Sequence, residues 1–160
     1  MTKIPVVELE IGDKAPDFDL PRDGGGRISL TDFAGKPLVI FFYPKDNTSA
    51  CTTESIAFTE LSADFEKAGA SILGMSPDSV KSHDKFVKKY SLSVPLASDE
   101  EKTAAEAYRV WQEKSMYGRR YMGVVRSTFL IGADGRIARI WDKVKVAGHA
   151  EEVLAAVREL

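Results

Sequence analysis

Six consecutive apolar residues, Leu38-Val39-Ile40-Phe41-Phe42-Tyr43, predict a strand buried on both faces, and Pro44, which has no amide hydrogen, ends it. The period then changes. From Cys51 to Ala68 the apolar positions Ile56, Leu61, Phe65 and Ala68, widened by Ala57, Phe58 and Ala63, follow a helical stripe that Gly69 stops. Ser71-Ile72-Leu73-Gly74-Met75 is a second predicted strand. Ser76 is expected to cap the next helix, with Pro77 at its first position and Val80, Phe86, Val87 and Tyr90 on its buried face. A further strand-helix step runs through Val94–Ser98 and Asp99–Tyr108. Gly123 to Ile131 is expected as one strand, paired through the turn Gly132-Ala133-Asp134-Gly135 with Arg136–Trp141, and Ala150–Leu160 as a terminal helix. Upstream, Pro16–Leu20 and Arg27–Ser29-Leu30 flank Pro21-Arg22-Asp23-Gly24-Gly25-Gly26, the pattern of a hairpin.

Alternating strands and helices closed by a late hairpin and a helix give an α/β order that fits a thioredoxin-like fold with an N-terminal β-hairpin extension. A length of 160 residues, 44% hydrophobic and 29% charged, suits one domain over 1–160. The formal net charge of −2, with no long basic block, gives no pull toward nucleic acid or an anionic membrane. The first ten residues lack the apolar core of a secretory signal, and no run approaches the ~18 apolar residues of a membrane span, so a cytoplasmic protein is expected. Gly24-Gly25-Gly26 is not followed by the Lys-Ser/Thr pair of a phosphate-binding loop and is read as a turn. His83 and His149 have no partners at metal-ligand spacing, so neither a metal nor a cofactor is expected. His83 is placed at the surface or boundary of its helix and His149 just ahead of the last one. Tyr108, Trp111, Tyr117 and Tyr121, with Met116 and Met122, are expected to pack as core or loop, and Lys114, Arg119 and Arg120 to form a solvated patch.

The chemistry concentrates at Cys51, the one cysteine of the chain. Thr48 or Ser49 can cap the helix that follows, which puts Cys51 in the first turn, where free backbone N–H groups and the helix dipole favour a thiolate. A lone cysteine elsewhere is more often a small buried apolar residue. The Thr48 hydroxyl, three residues earlier, is close enough to line the same pocket, and Pro44 offers no N–H to misdirect a nucleophile. Arg126 interrupts an otherwise apolar strand, where a guanidinium is costly unless an anion meets it. Glu54 is either a capping-box acid or a partner of a nearby cation, and Tyr43 either core packing or a hydroxyl near the site.

Pro44, Thr48 and Cys51 fit the pattern PxxxTxxC, and Tyr43 to Glu54 (Tyr-Pro-Lys-Asp-Asn-Thr-Ser-Ala-Cys-Thr-Thr-Glu) resembles the bacterioferritin-comigratory, or peroxiredoxin Q, branch of the peroxiredoxins. Gly12–Phe18, Gly74–Ser79, Ser98-Asp99 and Arg126–Ile131 keep the order and spacing of that branch. The resemblance implies a thiol-dependent peroxidase that reduces hydrogen peroxide and organic hydroperoxides through a Cys51 sulfenic acid. It gives Thr48 hydrogen bonds to the peroxide, Pro44 the shielding of the thiolate, Arg126 the pairing with it, and Glu54 the orientation of Arg126. Where the branch places a second cysteine this chain has Ile56, and Pro77–Tyr90 contains none. An external thiol is therefore expected as reductant, thioredoxin first, then glutathione or glutaredoxin, or else Cys51 of a second copy. With no extended arm after Leu160, a monomer is expected before a dimer. Three other readings compete. A disulfide oxidoreductase needs a C-x-x-C pair, and Thr48 stands where its other thiol would be. A glutathione-peroxidase-like enzyme needs Trp/Gln motifs that are not found, and a binding or chaperone protein would carry an inert cysteine.

Overall fold

The computed structural model describes residues 9–160; the part of the signal-peptide reading that rests on residues 1–8 lies outside them. Strands β1 (Asp19–Pro21) and β2 (Arg27–Ser29) pair antiparallel as the expected hairpin, followed by a 3-10 turn over Leu30–Phe33 that the sequence pattern did not predict. The apolar run forms β3 (Leu38–Phe42), buried at every position. After it come α1 (Ser49–Glu60), α2 (Ser62–Lys67), β4 (Ser71–Ser76), α3 (Val80–Tyr90), β5 (Leu96–Ser98) and α4 (Thr103–Ala107). The chain finishes with β6 (Trp111–Met116), β7 (Arg119–Val124), β8 (Ser127–Ile131), β9 (Ile137–Trp141) and α5 (His149–Arg158).

A five-stranded sheet in the order β5-β4-β3-β8-β9 carries the fold, with β3 parallel to β4 and antiparallel to β8. Its two faces are built from alternate residues of β3, as the period of a strand requires. Val39 and Phe41 point into a core with Phe58, Phe65, Phe86, Val153 and Leu154, supplied by α1, α2, α3 and α5. Leu38, Ile40 and Phe42 point the other way, against Ala104, Ala105 and Tyr108 and the N-terminal residues Phe18 and Ile28. Phe58 lies 4.7 Å from Phe41, centroid to centroid, and anchors α1 to the central strand. Gly74 of β4 has no room for a side chain, since a Cβ would stand 2.7 Å from both Leu96 Cδ2 and Phe41 Cζ. Among the described residues no helix is long and apolar enough to cross a membrane.

Several boundaries differ from the pattern reading. The single helix expected from Cys51 to Ala68 begins at Ser49 and breaks at Leu61 into α1 and α2, with Gly69 in a left-handed conformation beyond the end. Ser76 does not cap α3. It is the last residue of β4, and Ser79 is the cap, its hydroxyl accepting from the Ser82 N–H at 3.1 Å. The strand expected over Gly123–Ile131 is two strands in two different sheets, because β7 pairs with β6 in a separate hairpin. That hairpin corrects the aromatic reading too. Tyr108 is core, but Tyr117 at its tip is 98% exposed, and Met116, Tyr121 and Met122 also stand in solvent.

Candidate active site

The break between β7 and β8 is what brings Arg126 to Cys51. Val125 and Arg126 lie between the two strands and are held by backbone bonds, Val125 N–H to Val110 O at 2.8 Å and Val144 N–H to Arg126 O at 3.0 Å. Arg126 is thus not in the interior of a central strand, as its sequence context predicts, but at the doorstep of one. On the neighbouring strand, β3 ends at Phe42 opposite Ser127, and the chain turns through Pro44–Thr48 into α1. Thr48 is the N-cap residue and Cys51 the third residue of the helix.

The side chains then meet. Arg126 Nη2 lies 3.1 Å from Cys51 Sγ, and Nη1 donates to Glu54 Oε1 at 2.7 Å. One planar guanidinium therefore bridges the sulfur and the carboxylate one helical turn away, a fork that Lys could not reproduce. Cys51 is only 1% exposed and Glu54 equally so, while Arg126 is half-buried. In so dry a place the cation offsets negative charge on sulfur far more strongly than it would in water. Burial pushes the Glu54 carboxyl up to about 7, against the opposing pull of Arg126. Its second oxygen, Oε2, is buried with no hydrogen-bond partner among the described residues. Burial works against the charge of Arg126, but Glu54 and Cys51 outweigh it and hold the guanidinium above its ordinary value. Glu54 makes no capping bond, so of its two readings the partner of a cation is the one observed.

Thr48 and Pro44 belong to the segment that joins β3 to α1. The Thr48 hydroxyl donates to the Lys45 carbonyl at 2.8 Å, and no hydrogen bond among the described residues joins it to Cys51. Its oxygen keeps lone pairs for a donor, and rotation of the hydroxyl frees the proton. Pro44 is half-buried two residues beyond the end of β3. Tyr43 is fully buried and its hydroxyl donates to Asp46 at 2.6 Å; burial and the Asp46 carboxylate hold it well above the usual phenol range. Its ring packs in the same core as Cys51, and its hydroxyl is engaged by the loop.

Three residues have surroundings that the pattern alone does not give. Lys114 is only partly solvated: its Nζ donates to Val124 O at 2.7 Å, and burial, with Arg126 nearby, lowers its ammonium below the ordinary lysine value while Cys51 pulls the other way. His83 is 0% exposed instead of at the surface. His149 opens α5 and is buried, its Nε2 2.8 Å from the Thr128 hydroxyl, with burial lowering its imidazole despite Glu152. None of the three belongs to a recognisable spacing, because their partners come from other elements.

Comparisons with known proteins bear on the fold and the family. The model of the AhpC/TSA family matches residues 11–140. The chain is 51% identical over 146 residues to peroxiredoxin Bcp of Xanthomonas campestris, covering 90% of this chain and 91% of that protein. With peroxiredoxin Bcp of Bacillus subtilis the identity is 45% over 152 residues, covering 95% and 97%. Among solved structures, a cysteine-to-serine mutant of Xylella fastidiosa PrxQ superposes with a TM-score of 0.91 at 42% identity, over 96% of this chain and 98% of that one. A structure of the Xanthomonas campestris bacterioferritin comigratory protein, described for its alkyl peroxide reduction activity and a trapped intermediate/ligand complex, superposes with a TM-score of 0.85 at 48% identity over 89% and 90%.

Proposed function

The chain belongs to the AhpC/TSA family, on its Bcp or peroxiredoxin Q branch, and is a thiol-dependent peroxidase; from that premise we propose that Cys51 is its nucleophile and Arg126 the cation that activates it. The observation that carries this is the 3.1 Å contact between Arg126 Nη2 and Cys51 Sγ at the start of a helix. The thiolate attacks one oxygen of the peroxide. A sulfur–oxygen bond forms as the O–O bond breaks, sulfur loses two electrons, and the departing hydroxide or alkoxide takes up a proton as water or alcohol. Arg126 stabilises negative charge first on sulfur and then on the oxygens, Glu54 fixes the plane of its guanidinium, and Thr48 hydrogen-bonds the peroxide. Pro44 shields the sulfur from water and presents no competing donor.

With one cysteine the sulfenic acid meets no second thiol in the chain. An external thiol condenses with it, releasing water and leaving a mixed disulfide, and a second thiol equivalent returns Cys51 to the thiol. A small protein thiol of the thioredoxin type is the reductant we favour over glutathione or glutaredoxin, acting on a monomeric cytoplasmic enzyme folded as one domain. Steady-state peroxide consumption with each reductant in turn tests the reading. Thioredoxin with its reductase should support turnover, and failure of every thiol would remove the peroxidase cycle.

A further inference from the structure

Asp46 stands between Pro44 and Thr48 in the loop that delivers Cys51, yet it is only 7% exposed. Its carboxylate is fully occupied. Oδ1 accepts from the Tyr43 hydroxyl at 2.6 Å, and Oδ2 accepts from the Ser82 hydroxyl at 2.8 Å and lies 2.7 Å from His83 Nδ1. The other ring nitrogen of His83, Nε2, is 3.0 Å from the Ala97 carbonyl oxygen. Each ring nitrogen thus has an oxygen within hydrogen-bond distance, which fixes the plane of the imidazole. The backbone of the loop is tied on the same side. The Asp46 N–H donates to Asp78 Oδ2 at 2.8 Å, and the Ser76 hydroxyl braces that oxygen at 2.7 Å. Asn47, at φ 61°, presents its side-chain oxygen to the Tyr90 hydroxyl at 2.8 Å.

Asp46, Asp78 and His83 each place a ligand atom within 4.8 Å of the others, the spacing of a small metal site. The partners just named already take those atoms, and the cluster is complete as a hydrogen-bond network. None of its members bonds to Cys51, Glu54 or Arg126. What they share is the loop. α3 and the turn before it grip the loop at Asp46 and Asn47, and Thr48, the next residue, caps α1.

We propose that Asp46 and His83 are positioning residues for the peroxidase reaction, a buried pair that clamps the Pro44–Thr48 loop to α3 so that α1 begins where Cys51 Sγ meets Arg126. The proposal rests on the peroxidase reading above. A displacement of about 1 Å at reacting atoms costs on the order of 100-fold in rate, so a loosened loop should slow attack on peroxide while leaving the chemistry of an already formed sulfenic acid in place.

Rapid mixing of Asp46→Asn and His83→Gln with hydrogen peroxide should show single-turnover oxidation of Cys51 slowed by ~10- to 100-fold. Reaction of their preformed sulfenic acid with dithiothreitol should proceed at least at the wild-type rate. Ser82→Ala, which removes one donor and little volume, should slow oxidation by about 3- to 10-fold and serves if the other two fail to fold. Proton NMR should find a slowly exchanging, downfield imidazole N–H in the wild type that both Asp46→Asn and His83→Gln abolish. Wild-type rates of oxidation in the variants, or equal slowing of both half-reactions, would overturn the proposal. A wild-type protein that leaves Cys51 reduced in peroxide would instead overturn the peroxidase reading beneath it.

Discussion

Two buried charge clusters flank the same loop, and they differ in how completely they are satisfied. Around Asp46 and His83 every polar atom named has a partner, and the result is rigidity. Around Cys51, among the described residues, the sulfur has one donor and Glu54 keeps a buried oxygen with no partner. An unsatisfied group in a dry site is destabilising, and such sites are where proteins store reactivity. The lesson is a division of labour. One cluster spends its hydrogen bonds on holding the backbone, which lets the other leave valences free for a substrate.

The sharpest way to break this contrast is to remove the sulfur. Cys51→Ser should keep the fold, since the change in volume is small, and lose essentially all peroxide consumption. Steady-state assays that still found substantial activity would move the chemistry elsewhere. Next comes the cation: Arg126→Ala should slow peroxide reduction by at least ~10-fold, the scale of losing one transition-state donor. It also strands the Glu54 carboxylate, so a lower melting temperature is expected alongside.

Glu54 sharpens the comparison through pH. Its carboxyl is raised from an ordinary 4.5 to about 7, so the folded state binds the proton more tightly than the unfolded chain. The stability this adds is fully present below pH 4.5 and is lost as pH rises to about 7, a change on the order of 3 kcal/mol. Glu54→Gln keeps an acceptor for Arg126 and removes the titration. Urea unfolding across that range should show the slope in the wild type and a flattened one in the variant. The smallest effect belongs to the hairpin tip, where Tyr117 is 98% exposed. Tyr117→Ser should change stability by no more than about 0.5 kcal/mol and leave hydrogen peroxide turnover unchanged.

Much of the reactive cluster was legible because its members sit close in sequence or within a recognisable stretch. Cys51 and Glu54 are three residues apart, and Arg126 precedes an apolar strand that must find a place in the sheet. The central sheet was legible for the same reason, as Leu38–Phe42 is apolar throughout. The clamp was not. Its contacts join Asp46 to His83 across 37 residues and His83 to Ala97 across 14, and a histidine on a helix of many lysines carries no mark of burial. The β6–β7 hairpin escaped because its strands are mostly exposed and lack the alternation of a half-buried strand. Treating Val125-Arg126 as strand interior followed from that omission. The start of α3 was misread because Ser76 and Ser79 are both plausible caps in sequence, and only the pairing of Ser76 with Ser98 assigns Ser76 to the sheet.

The central claim is that Cys51 alone receives oxygen from the peroxide and that nothing in the chain traps the product. Intact-mass spectrometry with peptide mapping, after titration with hydrogen peroxide at low protein concentration, tests it most directly. One equivalent should add a single oxygen at Cys51, and excess should add a second and a third there as sulfinic and sulfonic acid. Exposed Met116 and Met122 should oxidise only later, and mapping separates them. Peroxide consumed while Cys51 stays reduced, or most of the protein converted to a reducible Cys51-linked dimer, would contradict the account.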